Sequence, residues 1–343
     1  MTRRMIVMAA GSLLAATAAN AQNYTSGFEA PTYTGSAAGT TITGTDGWYV
    51  PVVVNSTDGK AYTYAGNALG FPANPNGSDQ FQAGTGTAPS LLSRSQHDVN
   101  FAAGGVWQVQ YDFAGKWSGP AVTPGPPAVV AVDNIGSWST QDSTISRGFQ
   151  SLMTWGSTVV GPVPNATLYT ATADKFHHAI GYYATAAATA ITAESPSPAW
   201  RDLLVNNWYR VRIKWDFNTA RILECSIQDI TGGGAIQVTD VSANPWYLRG
   251  GPNSTLPLPT AMRLFGGGAV AAGLANSCAF DNISIKRICY PDCNESRTLT
   301  VADFGCFQGK YVLGDMYADC NASGTLTVAD FGCFQGKYVL GCP

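Results

Sequence analysis

The chain has 343 residues, a formal net charge of −3 and 12% charged side chains. That balance carries no basic footprint for nucleic acid, and a 45% hydrophobic content is enough for a sizeable packed core. The first segment, 1–21, is set apart. Arg3 and Arg4 precede an apolar run from Met5 to Ala19, and Ala19-Asn20-Ala21 is a small-x-small cleavage pattern. It reads as a secretory signal peptide, too short and wrongly flanked for a membrane span. No other stretch approaches eighteen apolar residues, so a secreted protein is expected, extracellular or cell-surface associated, with no membrane span. Loss of this segment leaves 17 basic against 22 acidic residues, a net charge of −5.

Residues 22–287 read as one all-β domain. Gly, Thr, Ser and Ala are abundant, and no long amphipathic helix stands out. The strongest strand is Trp208–Phe217, where Tyr209, Val211, Ile213, Trp215 and Phe217 alternate with Trp208, Arg210, Arg212, Lys214 and Asp216. Period-two alternation of this length marks a half-buried antiparallel strand. Asn218-Thr219 is a turn signal, and 221–230 is the returning strand of a hairpin. Further strands are expected over 106–113, 129–132, 179–183, 236–241 and 279–285, and the Pro-rich stretch 119–127 is expected to be a surface loop.

Two short stretches give the class. Gly27-Phe28-Glu29-Ala30-Pro31 with Asp46-Gly47-Trp48, and the closing Ala279-Phe280-Asp281-Asn282-Ile283-Ser284-Ile285, resemble the first and last strands of the concanavalin A-like lectin/glucanase jelly roll. The resemblance implies an antiparallel β-sandwich whose last strand pairs with its first. Glucanases on this fold carry a Glu-x-Asp-x-x-Glu strand, since glycoside hydrolysis needs two carboxyl groups at close, set distances. Here the only glutamates between Gln22 and Arg287 are Glu29, Glu194 and Glu224, and none has that setting. Asp112, Asp216 and Asp229 remain open as carboxylates assembled in space. His177 and His178 are neighbours on a strand and face opposite sides, which makes a poor shared metal site; one of them as a lyase base is the alternative. Trp208, beside Arg210, Arg212 and Lys214, is a candidate for stacking on a sugar ring; the alternative is an indole covered by a loop. Cys225 and Cys278 are expected to bridge neighbouring strands, as exported cysteines commonly do.

The tail, 288–343, is written twice. Thr298–Gly314 and Thr325–Gly341 both read TLTVADFGCFQGKYVLG, a shift of 27 residues that also superposes Asp292-Cys293-Asn294 on Asp319-Cys320-Asn321. Each copy opens with a polar loop and runs into a helical stretch, in which Phe304, Phe307, Tyr311 and Val312 form one stripe. A calcium loop of twelve residues draws oxygens from positions 1, 3, 5, 7, 9 and 12. The first copy supplies Asp292, Asn294, Ser296, Thr298, Thr300 and Asp303; the second supplies Asp319, Asn321, Ser323, Thr325, Thr327 and Asp330. Position 6, where the turn favours glycine, holds Arg297 in the first and Gly324 in the second, so two Ca2+ sites are expected, the first the weaker. Six cysteines cluster here. Cys289 and Cys342 fall outside the repeat and suit a clasp joining the module's ends. Cys293 with Cys306 and Cys320 with Cys333 are expected to pair within each copy, a crossed arrangement being the alternative. The lack of CxxC pairs and of nearby histidine speaks against zinc.

The duplicated D-x-N-x-S loop followed by a short helix ending Lys-Tyr-x-Leu-Gly resembles a dockerin, and the flanking cysteines resemble the GC-type variant of dockerin-anchored bacterial proteins. That resemblance implies one Ca2+ per loop and a cohesin-like protein domain as partner. It implies partner contacts through Val301, Ala302 and Lys310 and through Val328, Ala329 and Lys337, with docking in either of two orientations. Valine and alanine stand where familiar dockerins often carry Ser-Thr. The sequence therefore points to an anchored, non-catalytic β-sandwich that is glycan-binding or adhesive. The alternative is a polysaccharide-degrading hydrolase or lyase recruited by the same tail.

Overall fold

The computed structural model describes residues 23–52, 56–86, 92–101, 104–117, 130–138, 147–148, 150–155, 175–189, 191–266, 276–294, 296, 298–321 and 325–341. The segment 1–21 and the stretch 119–127 lie outside them. In chain order the strands begin with β1 (Tyr24–Ser26), β2 (Thr40–Thr41), β3 (Ser56–Thr57), β4 (Lys60–Thr63), β5 (Gln80–Gly86) and β6 (Leu92–Asp98). Next come β7 (Val106–Trp117), β8 (Val130–Trp138), β9 (Gln150–Trp155), β10 (Lys175–Tyr182), β11 (Thr192–Glu194) and β12 (Leu203–Leu204). The last are β13 (Trp208–Asp216), β14 (Arg221–Asp229), β15 (Gln237–Asp240), β16 (Ala261–Gly266) and β17 (Asn276–Arg287), followed by helices α1 (Val301–Val312) and α2 (Val328–Leu340).

These strands form two sheets. One runs β15-β14-β13-β7-β17-β5-β4-β2 with β1 beside β17; the other runs β11-β10-β9-β8-β16-β6-β3 with β12 beside β10. Pairing is antiparallel throughout except between β3 and β6. The expected strands are all present, most of them longer than the pattern implied, and β1 pairs with β17 as anticipated, Tyr24 lying opposite Ile285.

Alternation on β13 explains the sandwich. Tyr209, Val211, Ile213 and Trp215 are buried and stand opposite Phe113, Tyr111, Val109 and Trp107 of β7. Phe176, Ile180, Met262 and Leu264 of the second sheet close the same core from the other side. Each such side chain contributes roughly 1.5–3 kcal/mol on burial. The sheets meet backbone to backbone where a Cβ on Gly266 would fall 2.6 Å from the Cα of Gly84.

The outer face of the first sheet carries a second apolar cluster. Ala83, Ala279, Ala114 and Trp208 form one row across β5, β17, β7 and β13. The small side chains leave room for the indole, which packs with Phe71 and Phe81 and donates its Nε1–H to the Pro72 carbonyl at 2.8 Å. At the hairpin, Asp216 accepts the backbone N–H of Asn218 at 2.8 Å and so fixes the predicted turn.

Cys225 and Cys278 form no disulfide, contrary to expectation. Both are fully buried thiols, and burial pushes each well above the ordinary thiol range. They lie on β14 and β17 with β13 and β7 between them. Three strand spacings are about 14 Å, beyond the reach of a disulfide.

Candidate metal centres

In the first loop of the tail, several of the oxygens counted from sequence lie close together. Asp292 Oδ1 and Asn294 Oδ1 both accept the backbone N–H of Ser296, at 2.8 and 3.0 Å. Ser296 Oγ lies 2.9 Å from the Thr298 carbonyl, so positions 1, 3, 5 and 7 of the loop adjoin one another. Position 12 closes the loop: Asp303, fully buried, accepts the N–H of Asn294 at 3.3 Å and that of Thr300 at 2.8 Å. Thr300 is the N-cap of α1, and its side chain and that of Asp303 form a reciprocal capping box. The second copy repeats this. Asp330, also fully buried, accepts Asn321 N–H at 3.3 Å and Thr327 N–H at 2.8 Å. The Thr327 N–H is the leading cause that holds the Asp330 carboxyl below its usual range. Arg297, Ser323 and Gly324 lie outside the described residues, and with them the expected difference between the sites.

The donor set suits a hard cation. It is all oxygen and includes two carboxylates per loop.

Packing in the tail follows a pseudo-two-fold. Phe307 of α1 stacks on its repeat mate Phe334 of α2 with ring centroids 4.1 Å apart. Phe304 meets Tyr338 at 4.5 Å, and Phe331 meets Tyr311 at 4.6 Å. The disulfides Cys293–Cys306 and Cys320–Cys333 form within each copy, as expected. Cys289 is disulfide-bonded, and Cys342 lies outside the described residues. Val312 does not belong to the apolar stripe: it is 76% exposed. A step of about 100° per residue carries it away from Tyr311.

Sequence reading missed Tyr290 and Tyr317. Their rings stack at 4.9 Å, and each hydroxyl donates to the other's carbonyl. Their separation of 27 residues, the repeat shift, was the available signal.

Of the residues assigned to partner contact, Val301 and Val328 are 83% and 82% exposed, and Ala302 and Ala329 are exposed beside them. The lysines fold back along the module's own surface. Lys310 Nζ lies 4.7 Å from the Tyr317 ring centre and pairs with Asp315 at 2.9 Å; Lys337 Nζ lies 4.2 Å from that of Tyr290.

The sandwich candidates fare differently. Trp208 is fully buried under the loop that carries Phe71 and Pro72, which removes it as a sugar-stacking platform. His177 and His178 do face opposite sides, and both are buried. Burial, with Arg201 nearby, lowers the His177 pKa to about 4, so it is neutral at physiological pH. His178 Nε2 sits 3.1 Å from both the Tyr111 and Ser151 hydroxyls inside the core. Asp112 is brought beside Asp281 rather than Asp216 or Asp229. Asn74 Nδ2 donates to both at 3.0 Å, and Arg210 grips Asp112 with two bonds of 2.7 and 2.9 Å. Both carboxylates are fully buried. Burial is the main cause that raises the Asp281 pKa to about 7.

No family model and no curated protein sequence matches the chain. Three solved structures illustrate what it is similar to. An alginate lyase from Aplysia kurodai is 11% identical, with a TM-score of 0.39 over 63% of this chain and 86% of that one. An endo-β-1,4-glucuronan lyase from Trichoderma reesei is 11% identical, with a TM-score of 0.38 over 71% of this chain and 92% of that one. The binding domain of botulinum neurotoxin serotype C1 is 8% identical, with a TM-score of 0.30 over 67% of this chain and 45% of that one. Scores this low carry no function across.

Proposed function

We propose that this is a non-catalytic, glycan-binding or adhesive β-sandwich of the concanavalin A-like jelly-roll type, anchored by a dockerin-like tail. The tail takes up two Ca2+ ions and docks on a cohesin-like domain. The observation that carries this reading is the identical closure of the two loops, Asp303 and Asp330 each reaching back to positions 3 and 9. Asp292, Asn294, Ser296, the Thr298 carbonyl and Asp303 would hold the first ion, and the matching residues of the second copy the other. The cation would supply positive charge that binds each loop to its helix.

Docking gains support from four glycines. Gly305, Gly309, Gly332 and Gly336 sit inside α1 and α2, and a Cβ on any of them would meet nothing within 4 Å. Each costs its helix about 1 kcal/mol relative to alanine, and no packing among the described residues accounts for them. A partner's close approach does. The alternative of a hydrolase or lyase draws no support from Asp112 and Asp281, because both are sealed from solvent.

Calorimetry on the full chain tests the proposal: two equivalents of Ca2+ are expected, falling to one in Asp303→Asn or Asp330→Asn. Absence of calcium uptake in the oxidised protein would remove the anchoring role. In a pull-down with an immobilised cohesin domain, Val301→Asp alone and Val328→Asp alone are expected to retain binding, and the double variant to lose it.

A further inference from the structure

At the β15 edge the two sheets part and leave a cleft of about 330 Å³, a size within the range of small-molecule sites. One wall is Tyr209, Ile227, Asp229 and Gln237. Register sets Gln237 opposite Ile227 and Asp229 opposite Tyr209, so these side chains share the face that elsewhere forms the apolar core. The Asp229 carboxylate is tolerated on that face because it accepts Asn207 Nδ2–H at 2.9 Å and the Gly232 N–H at 2.7 Å, and the Gln237 amide because it is exposed to solvent.

The facing wall comes from the chain around β12. Asp202 stands at its rim with φ +53°, a left-handed backbone that a non-glycine residue adopts at a cost, and its N–H is held by His177 Nδ1 at 3.1 Å. The carboxylate is exposed, and among the described residues nothing donates a hydrogen bond to it. Leu203 and Ile227 supply an apolar floor, and among the described residues that line the cleft none is cationic.

The two rim carboxylates and the apolar floor set the ligand's chemistry. It donates several hydrogen bonds, presents a C–H face and carries no negative charge. We propose that this cleft binds a neutral saccharide unit and that Asp202 and Asp229 turn away uronate chains by charge repulsion. The inference rests on the glycan-binding half of the reading above and is independent of the tail.

The test is calorimetric titration of the full, calcium-loaded chain with neutral cello-, xylo-, manno- and galacto-oligosaccharides, and separately with oligoalginate. Binding of at least one neutral series and no binding of oligoalginate is expected. Asp202→Gly removes the carboxylate and relaxes the backbone; it is expected to weaken binding about tenfold with an unchanged or higher Tm. Gln237→Ala, an exposed position, should weaken it as well. Failure of all neutral series at about 10 mM, equal binding of oligoalginate, or indifference to both substitutions overturns the proposal. Calcium uptake in the same sample keeps the outcomes separate: a chain that loads two ions and takes oligoalginate but no neutral series loses only the cleft, whereas one that loads two ions and binds no saccharide loses the glycan-binding half of the reading as well.

Discussion

Asp281 is placed where charge is expensive. It accepts the Tyr64 hydroxyl at 2.7 Å, shares Asn74 with Asp112, and lies near Arg210, which is committed to Asp112. Its folded-state pKa of about 7 exceeds the ordinary 3.8, so between those values the folded chain holds a proton that the unfolded chain has lost. This group's contribution to stability is therefore full below about pH 4 and declines as pH rises to about 7. Urea unfolding of the protein and of Asp281→Asn across that window should diverge, on the order of 2–4 kcal/mol, with the wild type losing more. Trp208→Ala should cost about 3–5 kcal/mol in the same assay and leave saccharide affinity unchanged, because the indole is core. A loop over Trp208 was one of the two readings open in the sequence, but its place on the chain was not, and the pairing of Asp112 with Asp281 carried no signal at all. Trp208 meets its cover, Pro72, across 136 residues, and Asp112 meets Asn282 across 170, so no local pattern announces either contact.

The duplicated helices were far more legible. Identity of sequence imposed identity of packing, and the cysteine spacing within each copy gave both disulfides. Likewise β13 and β14 followed from alternation and a turn signal, whereas two-residue strands such as β2, β3 and β12 are too short to carry a period. The two-fold makes the packing of the two helices equivalent. Phe307→Ala and Phe334→Ala should each cost about 3–5 kcal/mol, and by nearly the same amount, since each ring loses the other. Gly305→Ala or Gly332→Ala should stabilise its helix by about 1 kcal/mol in thermal melts while weakening capture by cohesin.

Sandwich and tail are joined without a spacer. Ile288 donates its N–H to the Val106 carbonyl at 2.8 Å, which extends the ladder of β17 into the start of the module. Charge crosses the junction too. Burial opposes ionisation of Asp315, but the Tyr317 N–H, Lys310 and the sandwich's own Lys214 together hold its carboxyl below the usual range. Tumbling measured by NMR relaxation should therefore report one body, and a flexible Gly-Ser insert after Arg287 should split it into two correlation times. The junction also fixes how load would travel. A pull on the tail enters β17, which is flanked by β7, β5 and β1, and these ladders would resist by sliding along their whole length at once rather than unzipping one bond at a time. Single-molecule extension should find the sandwich yielding at high force, and at lower force once the Gly-Ser insert redirects the pull.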